Sequence, residues 1–493
     1  MLEIMNQKKA AESLAQIERP FTEEEWTQTP ERVQEFVVSL LDRVERLETT
    51  VRELQEKVNR NSQNSSKPPS SDGMEQSPAK ESTQEESRKR GGQAGHKKHE
   101  RGLLPIEEVK EVVEIKPSSC RKCGHALLGE DERPLRHQVT EIPPVEAETT
   151  EYQLHRLACP KCRTRTCGQL PEGVPTGAFG PRLQAMVALL SGRYHLSKRE
   201  SCQLMDDFFQ VELGLGTISK LEKRTSEALQ EPVEAAQEYV KTQKAIHLDE
   251  TSWREANERA WLWVAATQWV VVFLIRCSRG SKVAKELLGE EVTPIVHSDR
   301  WSSYNWIPTD LRQLCWAHLK RDFQAFAERD GPSAQLGEQL LEQLNLIFSL
   351  WHSFQNEQIT RADFQLKSQP HRTRVGQLLR LGTHCSHPKT AGTCRDILKR
   401  EDALWTFIDQ DDVLPTNNFA EQQIRPAVLW RNSSFGTQSL HGSRFVERLM
   451  TVVASLKLQK RNVLHYLVDA CLSAHSHSLP PSFIPLSSSH DDL

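Results

Sequence analysis

From Val33 to Val58 the apolar positions recur in steps of four and three: Val33, Val37, Leu40, Val44, Leu47, Val51, Leu54 and Val58. A seven-residue repeat of this kind is the seam of a coiled coil. Valine at one seam position opposite leucine at the other favours a parallel two-stranded assembly, so a homodimer or higher oligomer is expected. Thr29 before Pro30 supplies an N-cap and a first-turn proline at the start of that helix. Beyond it, residues 61–105 carry almost no apolar positions and cannot offset the entropy cost of ordering, so they read as a disordered linker. Periodicity returns as helix between Phe179 and Leu229, which fits either a helix-turn-helix presenting Thr217–Arg224 to DNA or a plain helical connector.

The next stretch alternates. Ala245–Asp249 is a short buried strand ending in acid, Trp261–Ala266 and Val270–Ile275 are two more strands, Ser281–Leu288 is a helix, and Pro294–Asp299 is again an apolar strand ending in acid. Leu314–Trp316 reads as a fifth strand, followed by a helix through His318 to Arg329. This order predicts a ribonuclease H-like core, in which the first and fourth strands lie side by side and present carboxylates from one end. Residues 331–413 are helical and fit nowhere in that pattern, so they read as an insertion. The domain plan is therefore a coiled-coil helix (1–60), a basic linker (61–105), a zinc ribbon (106–172), a helical region (173–240), the first part of the core (241–330), the insertion, the helices completing the core (414–475) and a disordered tail (476–493). The fold class is multidomain α/β.

Composition changes this picture in two ways. The 493-residue chain has a net charge of −4, yet its cations are segregated: Arg88, Lys89, Arg90, Lys97, Lys98 and Arg101 stand against one Glu between Arg88 and Arg101. Such a flexible arm can neutralise phosphates and release counterions on double-stranded DNA, without sequence preference. Of the eleven cysteines, five fall between Cys120 and Cys167. Cys120-Arg-Lys-Cys123 and Cys159-Pro-Lys-Cys162, joined by strand-like text at Val139–Ile142 and Tyr152–Leu157, read as a ribbon whose four thiolates hold one structural Zn²⁺. A redox pair is the competing reading. No apolar run of about 18 residues and no signal-peptide core is visible, so a cytoplasmic, nucleoid-associated protein without a membrane partner is expected.

Asp249, Asp299 and Glu421 are the candidate catalytic acids. Glu421 stands in Pro415-Thr-Asn-Asn-Phe-Ala-Glu421-Gln-Gln-Ile-Arg425, where Thr416 or Asn417 can cap a helix and Asn417, Asn418 and Arg425 share the face of Glu421. Three carboxylates without enough His or Cys for a transition metal favour two Mg²⁺ or Mn²⁺ ions, which can activate a water and later a DNA 3′-hydroxyl. Glu250 is expected on the opposite side of the strand and is the weaker candidate.

On these residues the chain resembles the transposases of insertion-sequence family 66, often called TnpC. The resemblance runs through the zipper, Asn64-Ser-Ser-Lys-Pro-Pro-Ser-Ser71, Gly91-Gly-Gln-Ala-Gly-His96, the two Cys-x-x-Cys knuckles, His247-Leu-Asp-Glu-Thr251, Cys315-Trp-Ala-His-Leu-Lys-Arg321, Asn417-Asn-Phe-Ala-Glu421, Phe435-Gly-Thr and Gly442-Ser-Arg. It implies a DDE triad on Asp249, Asp299 and Glu421, with His318 in support, zinc on Cys120, Cys123, Cys159 and Cys162, binding of terminal inverted repeats, and strand cleavage and transfer. Relatives are often accompanied by small accessory transposition proteins. One departure is Thr416, where many relatives carry Asp. A silent zinc-ribbon DNA-binding regulator is the rival reading, and a carboxylate hydrolase, which explains neither zipper nor basic arm, is a second.

Overall fold

The computed structural model describes residues 22–59 and 102–485. The basic stretch from Arg88 to Arg101, most of the expected linker and the last eight residues lie outside the described residues. In chain order the regular elements are α1 (Glu23–Thr27), α2 (Glu31–Asn59), β1 (Arg156–Ala158), β2 (Arg165–Cys167), α3 (Pro181–Gly192), α4 (Lys198–Phe209), α5 (Leu215–Ala228), α6 (Gln230–Lys241), β3 (Ala245–Glu255), β4 (Glu258–Ala266), β5 (Val271–Arg276), α7 (Ser281–Leu288), β6 (Ile295–Ser298), β7 (Arg312–Leu314), α8 (Trp316–Ala327), α9 (Pro332–Gln355), α10 (Arg361–Gly382), α11 (Pro388–Leu398), α12 (Thr406–Asp409), α13 (Asn418–Ser434), α14 (Leu440–Leu458) and α15 (Val463–His475). The protein is a multidomain mixture of helices and sheet, and its described residues divide into two compact units: 22–59 with 171–195 and 220–485, and 102–170 with 196–219.

The larger unit is built on a five-stranded sheet of order β5-β4-β3-β6-β7. β3, β4 and β5 are antiparallel, whereas β6 runs parallel to both β3 and β7. Both edges are covered by side chains, which removes the exposed ladder that an edge strand otherwise offers. On β5 the N–H groups of Val271 and Phe273 donate to Ser455 Oγ (3.0 Å) and Thr451 Oγ1 (3.0 Å), and that of Ile275 donates to Glu447. These acceptors are spaced by four along α14, one per helical turn, so one stripe of an otherwise apolar helix serves every second residue of the strand. At the other edge, Thr406 Oγ1 donates to the carbonyl of Arg312 (2.7 Å) and Phe407 N–H to Gln313 Oε1 (2.8 Å). Helices α9–α12 and the segments joining them bury their own apolar set, including Leu340, Phe364, Leu379, Trp405 and Phe407, against Leu319 and Phe323 of α8.

Four expectations need correction in the larger unit. β3 does not stop at Asp249 but continues to Glu255, paired throughout with β4. The polar text after Leu248 conceals this extension, which is held by a two-residue turn at Ala256–Asn257, both with positive φ (49° and 68°), the geometry that matches strand twist in a tight hairpin. The fifth strand is Arg312–Leu314, and Trp316 already belongs to α8. Pro30, not Thr29, takes the cap position of α2, its carbonyl accepting from Gln34 N–H (3.1 Å). The segment 476–485 is ordered rather than a disordered tail, because Phe483 is buried against Tyr466 and its carbonyl accepts from Gln459 (2.8 Å).

The tip of the β3–β4 hairpin is clasped by the segment after α13: Thr437 N–H donates to Arg254 O (2.9 Å) and Ala256 N–H to Thr437 O (2.9 Å). Gly436, at φ +105°, is the hinge of that clasp, and a Cβ there would overlap the Arg254 carbonyl. Gly436→Ala is therefore expected to destabilise the protein by about 2 kcal/mol or more. A urea unfolding midpoint unchanged from wild type would count against this account.

In the smaller unit β1 and β2 form an antiparallel hairpin. Val139–Ile142 forms no strand, contrary to expectation, and Pro143-Pro144 behind it removes two successive donors that a ladder would need. The stretch Tyr152–Leu157 becomes strand only from Arg156. Leu104, within the expected linker, is exposed but ordered, exchanging hydrogen bonds with Gln138 (2.9 and 3.0 Å).

Candidate active site

Pairing between β3 and β6 ends at His247↔His297. Asp249 lies two residues beyond the last pair on β3, and Asp299 directly follows β6, so both acids stand where the two parallel strands part. Asp299 is held through its main chain. The buried guanidinium of Arg312 donates to Asp299 O (2.7 Å), Ser298 Oγ (3.0 Å) and Tyr304 O (3.1 Å), and Trp301 N–H donates to Asp299 Oδ1 (2.8 Å). Burial and the neighbouring Arg400 pull the Arg312 pKa down to about 10, so it remains a cation at neutral pH.

Glu421 arrives on the first turn of α13, whose position is set by one buried amide. Asn417 occupies the cap of that helix but makes no side-chain capping bond. Its Nδ2 donates to Leu248 O (2.6 Å), its Oδ1 faces His247 Nδ1 (3.1 Å) and its N–H donates to Cys315 Sγ (3.1 Å). With Nδ2 committed to a carbonyl, Oδ1 must accept, so His247 carries its proton on Nδ1. His297 Nε2 accepts from Leu414 N–H (3.1 Å), and the two imidazoles stack with centroids 4.0 Å apart. Burial lowers the His247 pKa to about 4 and that of His297 well below its usual range, so the stacked pair is neutral. Asn417 therefore anchors Glu421 to the strand bearing Asp249. It does not share an open face with Glu421, as the spacing had suggested; exposed Asn418 and Arg425 flank Glu421 at three and four residues.

The acids are electrostatic neighbours. Burial first, then Glu250 and Asp299, with a smaller contribution from Glu421, raise the Asp249 pKa well above the usual carboxylate range. Burial and Asp299 likewise raise that of Glu421, against the opposing field of Arg321. The oxygens of Asp249, Asp299 and Glu421 do not all fall within 4.8 Å of one another; among the described residues that distance unites Cys315, His318 and Glu421 instead. Cys315 thus joins the expected His318 beside Glu421. Glu250 is buried and ion-paired to Arg279 (2.7 Å), with a hydrogen bond from Tyr304, and the Arg279 guanidinium lies between the rings of Trp261 (4.7 Å) and Trp301 (3.8 Å). The Glu250 pKa is raised by burial and by Asp299, so although successive strand residues point to opposite faces, Glu250 remains in electrostatic reach of the acids.

Beside the acids opens a cleft of about 460 Å³ lined by Asp299, Arg300, Trp301, His318, Arg321 and Asp322. Arg300 is committed to Asp322 (2.6 Å) and Asp396 (2.5 Å), whereas Arg321 forms no ion pair among the described residues. His318 Nδ1 lies 3.8 Å from Glu421 Oε1, but burial and Arg321 lower its pKa to about 4, so the contact is not an ion pair at neutral pH. Arg312, Arg321, Arg279 and Tyr304 were not candidates from the sequence: isolated Arg and Tyr residues carry no local signal.

The two Cys-x-x-Cys turns in the smaller unit are built alike. Cys120 N–H donates to His125 O (2.8 Å) and Gly124 N–H to Cys120 O (2.8 Å); Cys159 N–H donates to Thr164 O (2.9 Å) and Arg163 N–H to Cys159 O (2.8 Å). Gly124 and Arg163, each following the second cysteine, both have positive φ (73° and 61°). Backbone N–H groups of Lys122 and Cys123 lower the Cys120 pKa, and Thr164 lowers that of Cys162, which favours thiolates. No three of the four thiols lie within 4.8 Å of one another.

Comparison with known proteins gives three family matches. Residues 176–444, which include all three acids, match the family model described as transposase IS66 family. Residues 117–163, which include the four cysteines, match the zinc-finger binding domain of transposase IS66, and residues 7–102 match a family of unknown function. A curated protein of Sinorhizobium fredii, the uncharacterized protein y4qI, is 23% identical over 404 residues, covering 73% of this chain and 71% of that protein.

Proposed function

The chain belongs to the transposase IS66 family, whose model matches more than half of it, and from that premise we propose that it is a DDE-type transposase that binds terminal inverted repeats, cleaves DNA strands and joins them. The observation carrying this reading is that three acids from a strand, a strand end and a helix far apart in the chain are electrostatic neighbours: Asp299 raises the proton affinity of both Asp249 and Glu421, and Glu421 that of Asp249. Buried carboxylates that repel one another fit cations. The sheet order, with β6 between β3 and β7, supports a ribonuclease H-like core.

Two hard divalent ions, Mg²⁺ or Mn²⁺, held by the three acids would supply an activated oxygen nucleophile and neutralise charge on the phosphate. The chain's own groups do the positioning. Arg312 keeps Asp299 at the strand end, and Asn417 keeps the Glu421 helix against Leu248. Arg321 in the cleft, with Arg425 and Asn418 beside Glu421, is suited to receive phosphate oxygens. Arg88, Lys89, Arg90, Lys97, Lys98 and Arg101 would hold the DNA backbone, in a salt-dependent way. The matched zinc-finger domain supports a structural zinc, which we assign to Cys120, Cys123, Cys159 and Cys162.

The test is Mg²⁺-dependent nicking or strand transfer on DNA carrying the element's ends, with Asp299→Ala as control. Wild type is expected to cut and the variant only to bind; binding by both with cleavage by neither would leave a silent regulator.

The helix α2 supports a dimer. Val33, Leu40, Val44, Leu47 and Val51 are each between 44% and 57% exposed, an apolar stripe at heptad spacing that a second copy of the same helix would cover. Removal of residues 1–59 is expected to yield a monomer that binds paired ends poorly. An unchanged dimer in sedimentation would refute the coiled coil.

A further inference from the structure

The triad reading accounts for Glu421 but leaves two neighbours of its carboxylate unused. Cys315 occupies the N-cap of α8 and His318 follows three residues later, so both side chains project from the first helical turn. The ligand atoms of Cys315, His318 and Glu421 all lie within 4.8 Å of one another, with His318 Nδ1 3.8 Å from Glu421 Oε1. Donors around a tetrahedral zinc stand about 3.3–3.7 Å apart, given metal–ligand bonds of about 2.0–2.3 Å, so a modest side-chain adjustment would close the set. The His318 Nδ1 atom is buried without a hydrogen-bond partner, a costly state that a ligand would relieve. Cys315 Sγ already accepts the Asn417 N–H (3.1 Å), the kind of outer contact that orients a ligating thiolate.

We propose that Cys315, His318 and Glu421 form a second zinc-class site, separate from the Cys-x-x-Cys domain, that competes with the catalytic cations for Glu421. A thiolate and an imidazole suit a borderline-soft ion and are poor partners for Mg²⁺, so the two kinds of cation are sorted by the donors they need. Because they share one carboxylate, occupation by zinc withdraws Glu421 from the triad. Zinc then acts as an inhibitor, and that consequence rests on the transposase reading above, whereas the binding site itself does not.

The experiment measures zinc per chain in the full-length protein after loading with Zn²⁺ and dialysis. His318→Gln and Cys315→Ala are each expected to lose one zinc relative to wild type. Cys123→Ser is expected to lose a different one, so that His318→Gln combined with Cys123→Ser loses both. His318→Gln leaves the buried thiol in place and guards against misfolding of the cysteine variant, with circular dichroism as the check on both. Cobalt loaded into Cys123→Ser should give a thiolate charge-transfer band that disappears in the Cys123→Ser, Cys315→Ala double variant. Unchanged zinc content in both His318→Gln and Cys315→Ala would overturn the site. In cleavage assays at fixed Mg²⁺, Zn²⁺ should lower the wild-type rate at least tenfold, and added Mg²⁺ should restore it. Zinc binding with unaltered cleavage would refute the competition alone, and zinc binding in a protein that never cleaves would refute the transposase reading while leaving the site intact.

Discussion

Replacement of Asp249 by asparagine is expected to abolish DNA cleavage and, in the metal-free protein, to raise the melting temperature. The two effects have one cause. Asp249 is held next to Glu250, Asp299 and Glu421, and both its burial and their charge disfavour its ionised form. Asparagine keeps the shape and removes the repulsion, so it should add at least about 2 °C of thermal stability. It also removes a ligand for the cations, and cleavage should fall on the order of 10³-fold or more. The same repulsion sets a pH dependence. The folded-state pKa values of Asp249, Glu250 and Glu421 are all raised, so the proton-bound forms are favoured by folding. Their contribution to stability is complete below the ordinary carboxylate range of about 4 and is lost as pH rises through the raised values. Metal-free wild type should therefore lose stability over that interval, Asp249→Asn should lose less, and Mg²⁺ should stabilise wild type more at neutral than at acid pH. A variant that melts lower than wild type, or that still cuts, would contradict the arrangement of charges.

The second large effect is expected at Asn417, which touches no substrate in this account. Asn417→Ala removes a donor from Leu248 O and an acceptor from His247 in a buried setting. Leaving those groups unpaired should cost about 2–4 kcal/mol of stability in urea. The loss also frees the start of α13, so Glu421 is no longer held against the strand bearing Asp249. Cleavage by the folded fraction should fall by at least about tenfold while DNA binding persists. Asn417→Asp should be no better, since it loses the amide donor to Leu248 and adds a negative charge near the acids. Full activity in either variant would show that α13 is positioned by other contacts.

These predictions differ in how far the sequence could have led to them. The three acids stand out as candidates because Asp249 and Asp299 follow apolar runs and Glu421 sits at the start of a helix with amides at helical spacing. The role of Asn417 was read differently, since spacing along a helix cannot reveal that a residue at its cap turns inward. The true length of β3 was hidden because its second half is polar, and only pairing with β4 identifies it. Glu447, Thr451 and Ser455 gave no signal as a unit, because their partners are the N–H groups of a strand more than 170 residues earlier.

What the chain determined by itself was whatever neighbouring residues dictate to one another: the heptad helix, the paired Cys-x-x-Cys turns, the alternation of strands and helices, and the choice of candidate acids. The tertiary structure alone decided the rest. His247 meets Asn417 across 170 residues, Arg312 cages Asp299, and Cys315 and His318 come to lie beside Glu421. Each follows from the tertiary arrangement, in which β6 lies between β3 and β7 and α13 packs on β3 and β4. The physical reason is one of range: periodicity and capping act within a few residues, whereas burial, repulsion and hydrogen bonding between distant residues exist only after the sheet has assembled.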